Sequence, residues 1–211
     1  MKTVLCYGDS NTYGYNPETG GRYPMGKRWT TLLQNKLGSE YYVASEGMNG
    51  RTTAYDRGDQ LYRNGLSSLW VCMATHKPLD YVIFMLGTND CNKELGLTSK
   101  QIAEGMEELL LKAFDFCKHE QAYMPQFVIV VPPAIGDNYR NSVFAASLNE
   151  VSYRNSREIA PLYKELADKY GCMYLDCTDK IKVSDIDSEH LPEESHRKLA
   201  DLIYELIVYE G

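Results

Sequence analysis

The sequence predicts an α/β fold: a three-layer α/β/α sandwich on a parallel sheet of about five strands. Three observations predict it. Five short apolar runs alternate with longer stretches of helical spacing, the pattern of βα units. The runs over 80–86 and 127–131 lack polar alternation, as strands covered on both faces do. Neither a break in composition nor an internal repeat divides the chain, so residues 1–211 are expected to form one domain.

The elements follow in order. Val4–Tyr7 is a short strand that ends at Gly8, and residues 16–26, rich in Gly, Pro and polar side chains, form a loop. Trp29, Leu32, Leu33 and Leu37 share one helical face, and Gly38 stops that helix. Tyr41–Ala44 is the second strand, closed by Glu46 and Gly47, and residues 61–75 suit a helix. The third strand breaks at Gly87. Thr98 caps a helix to about Lys118, with Ile102, Met106, Leu109, Leu110 and Ala113 on one stripe. Pro132 and Pro133 stop the fourth strand. An irregular stretch over 135–147 precedes a helix to about Tyr170, a strand at Met173–Leu175, a loop at 184–192 and a closing helix over 193–208.

Composition narrows the function. The chain has 211 residues, 44% hydrophobic and 24% charged, as in an ordinary globular protein. Its 22 Lys and Arg against 29 Asp and Glu give a net charge of −7, which disfavours nucleic-acid and anionic-membrane partners, because both need a basic face. No run reaches the ~18 apolar residues of a spanning helix, and the apolar start is too short for a signal peptide, so a cytoplasmic location is expected. The six cysteines sit in mostly apolar contexts without a Cys-x-x-Cys pair, which reads as buried reduced thiols and no metal.

In a parallel α/β sheet, sites lie at the carboxyl ends of the strands. Those ends carry Gly8-Asp9-Ser10-Asn11, Gly47-Met48-Asn49-Gly50-Arg51-Thr52-Thr53, and Gly87-Thr88-Asn89-Asp90, while Asp187-Ser188-Glu189-His190 precedes the last helix. These parts meet the needs of nucleophilic catalysis. A serine hydroxyl is a weak nucleophile that needs an adjacent base, which His190 can supply to Ser10. Asp187 is near enough in the chain to hold the imidazole in the useful tautomer. The backbone N–H groups of Ser10 and Gly50 and the side-chain amide of Asn89 are candidate donors to an oxyanion. An amide donates without carrying a charge that would bind an anion in the resting state.

These four blocks resemble the SGNH (GDSL-type) hydrolases, whose conserved blocks supply Ser, Gly, Asn and His in this order. Gly8-Asp9-Ser10 matches the first block, Gly50 the second, Gly87-Thr88-Asn89-Asp90 the third and Asp187-x-x-His190 the fourth. The stretches Leu5–Thr12, Arg28-Trp29, Gly50–Thr53 and Ala74–Asp80 are most similar to the arylesterase/acyltransferase branch. The resemblance implies a flavodoxin-like fold and a serine esterase that cleaves short-acyl or aryl carboxylic esters through an acyl-enzyme, with acyl transfer to alcohols as a further activity. It implies no cofactor and no metal, and a small-molecule ester as partner. Members of this branch often assemble, so a homo-oligomer with contacts at loops 16–27 and 135–147 is an expectation. A carbohydrate deacetylase with the same triad is the alternative, and a binding module that lost its chemistry is the non-enzymatic one. One departure stands out: Ser188-Glu189 occupies positions where many members have Gly and a β-branched residue.

Neighbouring side chains are sorted by cost and reach. Asn11, Tyr13, Trp29 and Asn49 are candidate substrate-binding residues, with Tyr15 beside them. Asp9 and Asp90 are expected to hold their turns by accepting backbone N–H bonds. Asp185 competes with Asp187 as the orienting acid. His76 is expected to cap a helix end, His119 to be solvated and His196 to be structural.

Overall fold

The computed structural model describes residues 1–209. Strands β1 (Lys2–Gly8), β2 (Tyr41–Gly47), β3 (Tyr81–Met85), β4 (Gln126–Val131) and β5 (Met173–Asp176) form one sheet in the order β2-β1-β3-β4-β5. Every neighbouring pair is parallel. Among the described residues six α-helices accompany it: α1 (Ser10–Tyr13), α2 (Trp29–Leu37), α3 (Gly65–His76), α4 (Ser99–Glu120), α5 (Glu150–Tyr170) and α6 (Glu193–Tyr209). This is the three-layer α/β architecture that the sequence predicts.

The strand alternation divides the core in two. Leu5 and Tyr7 of β1, Val82 and Phe84 of β3, and Phe127 and Ile129 of β4 point to one face, against Leu69, Met73, Leu109 and Ile159 of α3, α4 and α5. Val4, Cys6, Ile83, Met85, Val128 and Val130 point to the other, against Trp29 and Leu33 of α2 and Leu199 and Ile203 of α6. Period-two side-chain alternation makes both faces of a central strand apolar. Each fully buried side chain of this size contributes roughly 1.5–3 kcal/mol.

Local signals fix the helix starts. Thr98 and Gln101 form a reciprocal capping box at α4, and Asn149 and Ser152 form another at α5. The predicted helix over 61–75 starts later than expected: Leu61–Arg63 is a 3-10 turn, and α3 begins at Gly65. The extended Asn64 causes the break, its side chain accepting the Leu66 N–H at 2.9 Å as an N-cap. Strand β2 runs three residues past Ala44, because Ser45, Glu46 and Gly47 stay paired with Cys6, Tyr7 and Gly8.

The chain leaves β1 for β2 on one side and returns to β3 on the other, so the topological switch point lies between β1 and β3. Gly8, Gly47 and Met85 are level in the register, so three strands end beside one another. Gly47 is needed for close approach: a Cβ there would lie 2.0 Å from the Tyr13 backbone nitrogen. Helix α1 therefore rests directly on the end of β2. Among the described residues, no helix is long and apolar enough to cross a membrane.

Candidate active site

The turn after β1 places Ser10 at the first position of α1. Asp9 caps this short helix by accepting the Asn11 N–H at 2.8 Å, as the sequence suggests. From 180 positions further along the chain, His190 reaches Ser10, its Nε2 2.7 Å from the hydroxyl oxygen. The opposite ring nitrogen, Nδ1, lies 2.8 Å from Asp187 Oδ2. The other Asp187 oxygen accepts the backbone N–H groups of Glu189 and His190 at 3.0 and 2.9 Å. A carboxylate that accepts from Nδ1–H leaves Nε2 as the acceptor for the serine proton. Burial works to raise the Asp187 pKa, but the bonds and charge of His190 outweigh it and hold the carboxyl below its ordinary value. Asp185, the competing acid, is solvent-exposed.

The loop that carries Asp187 and His190 contains one residue in a costly backbone conformation. Ser188 has φ +64°, in the left-handed region that favours glycine. Its carbonyl accepts the Gly136 N–H at 2.9 Å, and its buried hydroxyl has no hydrogen-bond partner among the described residues. This accounts for the departure noted in the sequence: a serine adopts the conformation a glycine takes at lower cost.

Asn89 stands at the start of the 3-10 turn after β3. Its Nδ2 donates one hydrogen to the Arg51 carbonyl at 3.1 Å, and its amide borders the cleft in front of Ser10. Gly50 borders the same cleft with φ +77°, and among the described residues its N–H donates to no group of the chain. Thus Ser10, Gly50, Asn89, Asp187 and His190 converge from four separate segments. The cleft holds about 180 Å³ and is also bordered by Tyr15, Asn49, Asn92, Phe144 and Ser147, together with Arg57, Arg63 and Glu189.

Three sequence-based assignments are corrected. Trp29 has no exposed surface and packs in the core between α2 and α6, because it starts the apolar face of α2. Tyr13 stacks on the Arg22 guanidinium at 3.9 Å and does not border the cleft. Asn11 has both ends of its amide committed, Nδ2 to the Glu189 carbonyl at 3.1 Å and Oδ1 to the Leu191 N–H at 3.0 Å. It joins the serine turn to the histidine loop instead of facing substrate. Asn49 does border the cleft.

Asp90 accepts a backbone N–H, as expected, but one that lies outside its own turn. It accepts the Thr53 N–H and hydroxyl and so ties the third strand end to the second. Burial raises both Asp9 and Asp90 to about 6. His76 pairs with Glu46 at 2.7 Å instead of capping. His196 is fully buried, accepts the Trp29 N–H on Nδ1, and is pushed down to about 4 by burial and by the charge of His190.

Sequence reasoning missed Arg57, Arg63, Asn92, Phe144 and Ser147 as cleft residues. They come from loops with no motif, and only the folded chain gathers them. Glu189 was visible as a carboxylate next to the base. It borders the cleft, and burial pushes its carboxyl up to about 7.

A serine, an imidazole and a carboxylate in hydrogen-bonded series at the switch point of a doubly wound sheet form the arrangement of a serine hydrolase. The chain belongs to the GDSL-like lipase/acylhydrolase family, whose model matches residues 6–198. Among solved structures it is similar to Est24, a carbohydrate acetylesterase from Sinorhizobium meliloti, at 32% identity and TM-score 0.89 over 100% of both chains. It is also similar to the aryl esterase of M. smegmatis, at 32% identity and TM-score 0.87 over 98% of both chains. A lipase/acylhydrolase from Enterococcus faecalis shares the fold at 19% identity, with TM-score 0.71 over 98% of this chain and 95% of that one. No curated protein matches the chain by sequence.

Proposed function

We propose that this carboxylic ester hydrolase removes short acyl groups through an acyl-enzyme formed on Ser10. The observation that carries the reading is the unbroken series from Ser10 Oγ to His190 to Asp187 at 2.7 and 2.8 Å. Ser10 Oγ attacks the ester carbonyl carbon while His190 Nε2 takes its proton. The imidazolium stays paired with Asp187. The negative oxygen is met by the Ser10 and Gly50 N–H groups and the second hydrogen of Asn89 Nδ2. Collapse expels the alcohol, which takes the proton back from His190. Water then attacks the acyl carbon with His190 again as base, releasing the acid and restoring the serine.

A cleft of about 180 Å³ suits an acetyl or similarly short acyl group. Its border favours a polar alcohol: Asn49, Asn92 and Ser147 supply side-chain hydrogen-bond groups beside the aromatic Tyr15 and Phe144. This supports the deacetylation of a hydroxyl-rich compound such as a sugar, beside aryl-ester cleavage. All six cysteines are free thiols, which fits a reducing, cytoplasmic compartment.

The test is p-nitrophenyl acetate turnover with fluorophosphonate labelling of the wild type and Ser10→Ala. Turnover and labelling are expected in the wild type and neither in the variant. A variant that still labels at the wild-type rate overturns the assignment. An acyl-length series and a panel of acetylated sugars then rank the substrates, and a preference for long acyl chains would refute the short-acyl reading.

A further inference from the structure

We propose that Arg63 makes this site selective for esters that carry a carboxylate, a proposal that rests on the ester-hydrolase reading above. Two arginines border the cleft, and they differ. Arg57 is neutralised by an ion pair with Glu94 and touches Asn89 Oδ1 at 3.4 Å. Arg63 has no ion pair among the described residues, and its buried Nε–H has no acceptor. Its guanidinium lies against Gly50, where a Cβ would meet Nη1 at 2.6 Å.

The backbone fixes this position. The Arg63 carbonyl accepts the Thr52 N–H at 3.0 Å, and Thr52 pairs with Asn64 in a parallel bridge. The side chain therefore borders the same cleft as Ser10, on a segment tied to the loop that follows the second strand. A partly desolvated guanidinium without a carboxylate is an unmet charge. Its planar fork matches a carboxylate through two parallel N–H···O bonds. Glu189 borders the same cleft but forms no ion pair with Arg63, and its raised pKa leaves much of it uncharged near neutrality.

The matching carboxylate can sit on either side of the ester bond, so the test has two arms. The acyl-side arm compares mono-(4-nitrophenyl) succinate with its methyl ester. The alcohol-side arm compares 4-acetoxybenzoate with its methyl ester. The readout is the ratio of kcat/KM for each anionic ester to its neutral partner. In the wild type the ratio is expected to exceed ten in one arm and to fall as NaCl rises to 1 M. Arg63→Gln is expected to lower that ratio about ten- to hundredfold, the size of one charge-assisted bond, while Arg63→Lys, which keeps the charge but not the fork, lowers it less. A wild-type ratio at or below one in both arms, or a ratio unchanged by Arg63→Gln, overturns the proposal. Lack of turnover on all four esters and on p-nitrophenyl acetate overturns the ester-hydrolase reading itself.

Discussion

The side-chain carbonyl of Asn11 accepts the backbone N–H of Leu191 at 3.0 Å, across 180 positions of chain. Its amide donates to Glu189, on the other flank of His190. One buried residue beside the nucleophile thus grips both neighbours of the base and sets the distance between them. Asn11→Ala strands a buried N–H and a carbonyl, so urea denaturation should show a loss of about 2 kcal/mol. Steady-state kinetics should show kcat falling about tenfold or more, with KM changed less, since the contact acts on geometry and not on substrate. Unchanged kcat would mean that the histidine loop keeps its place without this grip.

Asn89→Ala removes one oxyanion donor. kcat for p-nitrophenyl acetate is expected to fall by about 10²–10³ with KM little changed. A loss below about tenfold would place the amide outside the hole.

Ser188→Gly should stabilise the protein. The left-handed conformation costs a non-glycine residue roughly 1–2 kcal/mol, and the serine hydroxyl is buried without a partner. Glycine's greater freedom in the unfolded chain offsets part of the gain, leaving about 0.5–1 kcal/mol. Thermal melts of the two proteins decide it, and a lower Tm for the variant would show that the Ser188 side chain contributes packing that outweighs the strain.

Asp9 gives a pH dependence of defined sign. Burial lifts its pKa from 3.8 to about 6 in the folded protein, so the fold holds a proton that the unfolded chain has released. Its contribution to stability is full below about pH 4 and is lost as pH rises through 6. Asp9→Asn keeps a capping oxygen for Asn11 and removes the titration. Between pH 4.5 and 8 the variant should gain about 2 kcal/mol relative to wild type, measured by urea denaturation at both pH values. A difference that does not change with pH would mean that Asp9 is ionised throughout.

The fold was legible in the sequence because its central strands are buried on both faces, which leaves uninterrupted apolar runs such as Tyr81–Met85. The Ser10, Asn89, Asp187 and His190 positions were legible because each breaks such a run or precedes a helix at a fixed spacing. Trp29 misled because an aromatic residue after a catalytic loop looks the same in sequence whether it faces substrate or the core; here the helical period of α2 decided it. The left-handed Ser188 was hidden because residue type points away from that conformation. Arg57, Arg63 and Phe144 could not be read, since loops bring them together by long-range closure that no local pattern encodes.

Tyr15 lies 4.2 Å from the His190 ring, centroid to centroid, and Phe144 meets it edge-on at 5.8 Å. With Asp187 holding Nδ1 and these two rings packed against it, the imidazole is kept with Nε2 toward Ser10. The same nitrogen must hand its proton to the departing alcohol and then draw one from the incoming water. Both molecules therefore use a single doorway, and an alcohol still standing in it competes with water for the acyl group. If the proposed acyl-enzyme forms, hydrolysis and return of the acyl group to an alcohol become two fates of one intermediate, divided by which oxygen occupies that threshold first.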